Sequence, residues 1–417
     1  MKKGLLVLLT LLMAASLFAA GQAETGGRQR LELLQNKPEI DAELKAYAQQ
    51  WGRENNVDVV IKTVGGSIDV TVEQMLTIGY SSGEMPDIFV FPGLESYQMW
   101  SEVILDLSDE PWVQDTSVEF TYDGRVYGFP VNIEGWGLAY NADILEAAGI
   151  DPAGLTNLDA YREAFATLDS MKDELGIKAP VSMAAAMSMG WVTAHHNFNS
   201  LLSNGLPYGD LSVVNDLRAG NVDMDRLGQY ADWVELLFTY ADQAVLTTGD
   251  YDAQVGAFVA GDTAFLHQGN WVDGNIADAG ADFPIAFAPH GSLERDTDGI
   301  FVAAPAYYAI NAESRVTDIA RKFLNDMVYT EAGQRFMVEE AGMIPAFSNV
   351  ESRPSGPLSQ SVQEWNAADQ VYSWNQYYFS DDFRDNTLAP IYNRFASGAI
   401  SKEQFVNALR SAFESLQ

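Results

Sequence analysis

From Leu31 to Phe91 short runs of strand-forming residues alternate with amphipathic helical stretches, and this alternation restricts the fold more than any other feature of the chain. Leu31 to Leu34 reads as a strand. Asn36-Lys37-Pro38-Glu39 then turns into a helix that aligns Ile40, Leu44, Tyr47 and Trp51. Val57 to Val64 is a second, β-branched strand, broken by Gly65-Gly66-Ser67. Asp69 or Thr71 caps the next helix, with Gln74 three residues after Thr71 as a capping box requires. Its apolar face is read as Val72, Met75, Leu76 and Ile78, and Gly83 and Pro86 stop it. Ile88 to Phe91 is a wholly apolar third strand, the pattern of a strand covered on both faces. Strand, helix, strand, helix, strand predicts a mostly parallel sheet in an α/β fold. Ligands collect at the carboxyl ends of such strands. That rule selects the loops 35–39, 63–67 and 91–95, and with them Asn36, Lys37, Glu39, Gly66, Phe91 and Glu95.

A chain of 417 residues provides two to three folding units with ample apolar material for their cores. Its 58 acidic against 24 basic side chains, a net charge of −34, argue against a nucleic-acid partner. Lys2 and Lys3 precede an apolar run from Leu5 to Phe18 and the small residues Ala19, Ala20 and Gly21. This reads as a secretory signal peptide over 1–23, cleaved after Gly21 or Ala23, and the mature chain is expected to be periplasmic or secreted. The sequence has no cysteine, hence no disulfide, thiolate ligand, Cys nucleophile or lipid-attachment Cys.

The stretch Gly124 to Asn141, GRVYGFPVNIEGWGLAYN, reads as an extended run that crosses from one lobe to another. Glu134 stands among apolar neighbours and needs a partner. That partner is either a buried basic side chain or a ligand hydroxyl in a cleft. Beyond it, helices are expected at Ala142 to Ala148, Thr156 to Leu175, Leu227 to Phe238 and Tyr251 to Gly261. Thr263 to His267 is a strand leading to Gly269-Asn270-Trp271, so a second α/β lobe is the economical reading. Gly299 to Asn311 is long enough to run back to the first lobe. Thr317 opens another helix, Arg353 to Ser361 resembles a linker, and Ser401 with Gln404 caps the last helix.

Four pieces, in order, resemble the extracellular solute-binding proteins of carbohydrate ABC importers, the maltose-binding-protein-like family. They are Pro86-Asp87-Ile88-Phe89, the crossing GFPVNIEGWGLAYN, GAFVAGDTAFLHQGNW from Gly256 to Trp271, and the segment from Tyr308 to Phe336. The resemblance implies a periplasmic-binding-protein-like α/β fold: two lobes with mixed, mostly parallel sheets joined by a hinge. The N-terminal lobe would comprise 28–132 and 309–340, and the C-terminal lobe 133–308 and 341–417. It further implies a monomer that holds a sugar or oligosaccharide in the cleft and delivers it to a membrane permease, without catalysis. Positions matching the family's ligand contacts are Asn36, Lys37, Phe91, Glu134 and Trp271, then Trp191 or His195, and Trp374 or Tyr378. Phe91 and Glu95 depart from the maltodextrin pattern, which has Trp and often a basic residue there.

Sugars offer apolar C–H faces and a ring of hydroxyls, so their sites need aromatic platforms with carboxylates and amides. Trp191, Trp271 and Trp374 with Asn36, Glu134 and Asn270 supply those groups, and Trp136 in the crossing is a further ligand-binding candidate. Most tryptophans in any chain are core, and Trp51, Trp233 and Trp365 are read that way. Trp271 differs because a Gly-Asn turn precedes it. For Lys37 an exposed surface position is the equal alternative. His195 and His196 are adjacent, so they point apart on a helix and make poor joint metal ligands; HExxH, EF-hand, P-loop and GxSxG patterns are absent from the sequence. No cofactor or metal is expected. A secreted glycosidase would need two carboxylates flanking the bond, with Glu134 and Asp87 as candidates. An oxyanion site would want arginines that the selected loops lack.

Overall fold

The computed structural model describes residues 28–64 and 70–416, so the expected signal peptide and Gly66 lie outside the described residues. In chain order the strands are β1 (Gln29–Gln35), β2 (Val57–Thr63), β3 (Ile88–Phe91), β4 (Phe120–Tyr122), β5 (Arg125–Pro130) and β6 (Glu134–Asn141). They continue as β7 (Ala179–Ser182), β8 (Thr263–Gly269), β9 (Ile285–Ala288), β10 (Ile300–Ala303), β11 (Tyr307–Ile310) and β12 (Val371–Tyr372). One sheet has the order β2-β1-β3-β11-β5-β4 and the other β12-β10-β6-β8-β7, with β9 also paired to β6.

Direction follows connectivity. β1 runs parallel to β2 and β3 because a helix carries the chain back between them. β11 and β6 reach their sheets from the other lobe, where no crossover helix dictates direction, and both pair antiparallel with their neighbours. The run from Gly124 to Asn141 thus divides into β5 in the first sheet and β6 in the second, with 131–133 between them. The return divides likewise into β10 and β11 around 304–306. A bridge between Ile133 and Ile344 ties the first crossing to a third strand of chain.

Each lobe has its own core. In the first, Leu31, Leu33, Ile88 and Phe89, all 0% exposed, pack against Phe323, Leu324 and Met327 of the helix Thr317–Tyr329. Met343, Ala346, Phe347 and Val350 belong to the same core. In the second, Leu138, Phe165, Phe198, Trp233 and Phe265 are enclosed together. Full burial of each such side chain is worth about 1.5–3 kcal/mol.

The capping signals form as read. Gln74 N donates to Thr71 Oγ1 at 3.2 Å and Thr71 N to Gln74 Oε1 at 3.2 Å, which starts the helix Val72–Ser82; Ser401 and Gln404 do the same for Lys402–Glu414. Three local readings need correction. Ile78 is exposed, since the buried face is Val72, Leu76 and Gly79, spaced four and three apart. The helix expected over Thr156 to Leu175 starts at Leu158 behind the Asn157 cap and breaks at Met171. The second half of the Arg353 to Ser361 stretch is helical, because Pro357 occupies a first-turn position where its missing N–H costs nothing.

Candidate functional site

The partner of Glu134 is Lys37. The Lys37 ammonium, at the end of β1, forms an ion pair with Glu134 at the start of β6, and only 9% and 7% of the two side chains remain exposed. This is the buried-basic-partner alternative, but the base comes from the other lobe and is itself a sequence candidate. Gln35 sets the loop: its Nε2 donates to Lys37 O at 3.0 Å, and its Oε1 accepts from Lys37 N at 2.8 Å. Asn132 Nδ2 donates to Glu134 Oε1 at 3.0 Å, and Glu39 lies 3.6 Å from the Lys37 ammonium. Burial opposes the charge on Lys37, yet Glu134 and Glu39 outweigh it and raise its pKa. The ammonium stays charged.

An aromatic wall adjoins this pair. Trp271 is centred 5.0 Å from His196, 6.3 Å from Trp374 and 6.4 Å from Trp191, and Trp191 is 6.2 Å from Tyr251. Trp374 is 6% exposed, and its Nε1 has no hydrogen-bond partner among the described residues. Burial first, then the carboxylates of Glu39, Asp252 and Glu134, raise the Tyr251 phenol. Burial also raises Tyr377, with Glu134 again contributing. These phenols are neutral donors beside the charged pair.

The lobes also meet at the rim. Glu95 lies 3.5 Å from Arg218, and a side-chain carbon on Gly93 would sit 3.0 Å from Tyr377 Cβ. Burial, and then the Asp381 carboxylate of the opposite lobe, push the Glu73 carboxyl up to about 7, while Arg384 and the Ser96 hydroxyl work the other way. Arg384, 2% exposed, pairs with Asp381 and lies 5.4 Å from the Tyr377 ring centre.

Of the sequence candidates, Lys37, Glu39, Glu134, Trp191, Trp271 and Trp374 come together, and Tyr378 stays half-buried next to Tyr377. Asn36 is exposed beside them, and Glu95 reaches the rim. Four candidates require correction. Phe91 is 0% exposed among Tyr97, Phe120 and Tyr307, because its strand is covered on both faces. Trp136 is 0% exposed, stacked on Phe301 at 4.2 Å and ringed by His196, His267 and His290, so it lies beneath the wall rather than in it. His195 has both ring nitrogens engaged. Arg384 Nη1 donates to Nδ1 at 2.8 Å, so Nε2 carries the proton and donates to Asp385 at 2.6 Å. Asn270 is likewise spent, accepting from Gly135 N at 2.9 Å and donating to Ser359 Oγ at 3.0 Å.

Sequence reading missed Asn132, His196, Tyr251 and Tyr377. His196 and Tyr377 each adjoin a candidate in sequence, so a shift of one residue would have found them. Asn132 sits two residues before Glu134, on the same side of an extended chain. Tyr251 carried no signal beyond its place after the Asp250 helix cap. Asp87 is spent in its own lobe, where its carboxylate accepts from Glu32 N at 2.8 Å and Ser314 Oγ at 2.6 Å.

Comparison with known proteins agrees with this architecture. The maltooligosaccharide ABC transporter solute-binding lipoprotein of Streptococcus pneumoniae strain R6 is 25% identical over 85% of this chain and 81% of its own length. The multiple sugar-binding protein of Streptococcus mutans is 22% identical over 98% and 97%. Among solved structures, the solute-binding protein RafE in complex with raffinose superposes with a TM-score of 0.76 at 18% identity, covering 93% of this chain and 99% of that one. A sugar transporter protein of Bacillus licheniformis in complex with stachyose gives 0.74 at 17% identity, covering 93% and 100%. These two establish the two-lobed fold. The sequence pattern described as bacterial extracellular solute-binding protein matches residues 46–371, most of the chain, and the chain belongs to that family.

Proposed function

We propose that this protein captures a sugar or oligosaccharide between its lobes and delivers it to the membrane permease of an ABC importer. The observation that carries the reading is a desolvated Lys37–Glu134 pair set against the wall of Trp191, Trp271 and Trp374. An ammonium and a carboxylate donate to and accept from hydroxyls, and the indoles take the apolar sugar faces. The sugar-binding relatives support the ligand class. A bound sugar would insert its hydroxyls at the pair and replace part of that bond.

The lobes in this proposal comprise 28–130 with 307–350, and 134–303 with 357–416; this moves 341–350 from the second lobe, where the sequence reading put it, to the first, because Met343, Ala346, Phe347 and Val350 pack in that core. They would open and close about 131–133, 304–306 and 351–356, a hinge motion known for such binding proteins. The protein would act as an exported monomer without turnover. Asp87 is tied within the first lobe, which weakens the Glu134 and Asp87 glycosidase alternative. Titration calorimetry against a panel of mono- and oligosaccharides tests the ligand class. Saturable heat with at least one sugar is expected; tight binding of a peptide or oxyanion with no sugar response would refute it. Product analysis after prolonged incubation should show the sugar intact.

A further inference from the structure

We infer that Gly269 and the buried amides of Gln268 and Gln254 are positioning residues that hold the Trp271 indole as a fixed platform for the ligand. The inference deepens the sugar-binding reading and rests on it for the nature of the ligand.

Gly269 ends β8 with φ −116° and ψ −177°, an extended conformation open to any residue. Backbone freedom therefore does not require glycine here. Proximity does. A side-chain carbon at 269 would overlap the six-membered ring of Trp271, well inside van der Waals contact with Cζ3 and Cη2. The indole lies on the bare Cα, so even one methyl group would lift it.

The indole edge is fixed as strictly. Trp271 Nε1 donates to Gln268 Oε1 at 3.0 Å, and Gln268 Nε2 donates to Gln254 Oε1 at 2.8 Å. Gln254 Nε2 in turn donates to His267 O at 3.1 Å and Ser182 O at 3.3 Å. Two backbone carbonyls can only accept, so the Gln254 amide has one permitted orientation. It imposes one orientation on Gln268, which leaves an acceptor facing the indole N–H. Gln254 and Gln268 are 0% and 1% exposed, so turning either amide would place donor against donor away from water. Trp271, by contrast, keeps part of its surface exposed. The face turned away from Gly269 is the one offered to a sugar ring, at an angle set before the ligand arrives.

The test uses the full protein with 15N-labelled tryptophan, the Trp271 indole N–H resonance being assigned by its loss in Trp271→Phe. Gly269→Ala and Gln268→Met should each shift that resonance and speed its hydrogen exchange at least tenfold. Both should weaken binding of the best sugar from the panel at least tenfold, and neither should weaken it further in a Trp271→Ala background. An unmoved resonance in both variants overturns the inference, as does an equal loss of affinity with and without Trp271. Should Gly269→Ala not fold, Gln268→Met decides. If the unmodified protein binds no sugar, the ligand reading fails by itself, and the resonance and its exchange still decide whether these residues position the indole.

Discussion

At the scale of single residues, Trp271 and Trp136 stand at different depths: the first is partly exposed and the second is 0% exposed. The Gly-Asn turn before Trp271 marks a loop position, and the ring is partly exposed in the cleft wall. Trp136 shares a strand face with Glu134, but depth on that face depends on Phe301 and three histidines distant in sequence, which no local pattern reveals. The two should respond oppositely to truncation. Trp271→Ala is expected to weaken sugar binding by about 2 kcal/mol with little loss of stability, as for a central interface aromatic. Trp136→Ala should cost about 3–5 kcal/mol of folding stability, measurable by urea unfolding, through loss of a fully enclosed side chain. The histidines carry a second prediction. Burial lowers the His267 pKa to about 4 and holds His290 well below its ordinary value. The unfolded chain then takes up protons first as pH falls below about 6.5, so the folded state loses stability from there down to about pH 4. His267 alone contributes about 3 kcal/mol to that loss. Urea midpoints at pH 7 and pH 4.5 should therefore differ less in His267→Phe than in the parent; an identical difference would refute the assignment.

At the scale of elements, local signals locate helix starts and tertiary contacts decide the rest. Thr71 with Gln74 and Ser401 with Gln404 are legible because a cap is a contact over three residues. The wide π turns at Trp191–Asn197 and Phe383–Leu388 are not, since His195 holds them together through Asp385 and Arg384 from 190 and 189 residues away. The helix Val72–Ser82 stands at the rim of the first lobe, and its Glu73 faces Asp381 and Arg384 of the second. Its carboxyl is pushed up to about 7 with the rims together against an ordinary 4.5, so on the proposed hinge closure would take up a proton. Closure, and sugar affinity with it, should weaken as pH rises from about 5 to 7 and level off above that. Calorimetry at pH 5.5 and 7.5 should show this decline, and Glu73→Gln should flatten it. A decline that survives the substitution would assign it to another group.

At the scale of the whole molecule, the two sheets and their crossings are legible because extended runs from Gly124 to Asn141 and Gly299 to Asn311 exceed what one strand needs. The buried ion pair between the lobes is not, since Lys37 and Glu134 are 97 residues apart and each reads locally as a lone charge. A buried pair of this kind strongly penalises loss of one partner, about 3–5 kcal/mol, because the remaining charge stays desolvated. On the proposed hinge the molecule would have an escape that a core pair lacks: opening the cleft would return Glu134 to water without unfolding either lobe. Lys37→Met should therefore enlarge the radius of gyration measured by small-angle X-ray scattering of the ligand-free protein, while the melting temperature moves by little. Replacing both partners, Lys37→Met with Glu134→Leu, removes the stranded carboxylate and should bring the radius back toward that of the parent. An unchanged radius together with a large drop in melting temperature would instead make the pair part of the folded core, and the cleft would have to open elsewhere. With the expected result, the same bond that satisfies Glu134 when the lobes are together is the one a sugar would have to replace, so its strength would set how much of the ligand's binding energy is spent on entry.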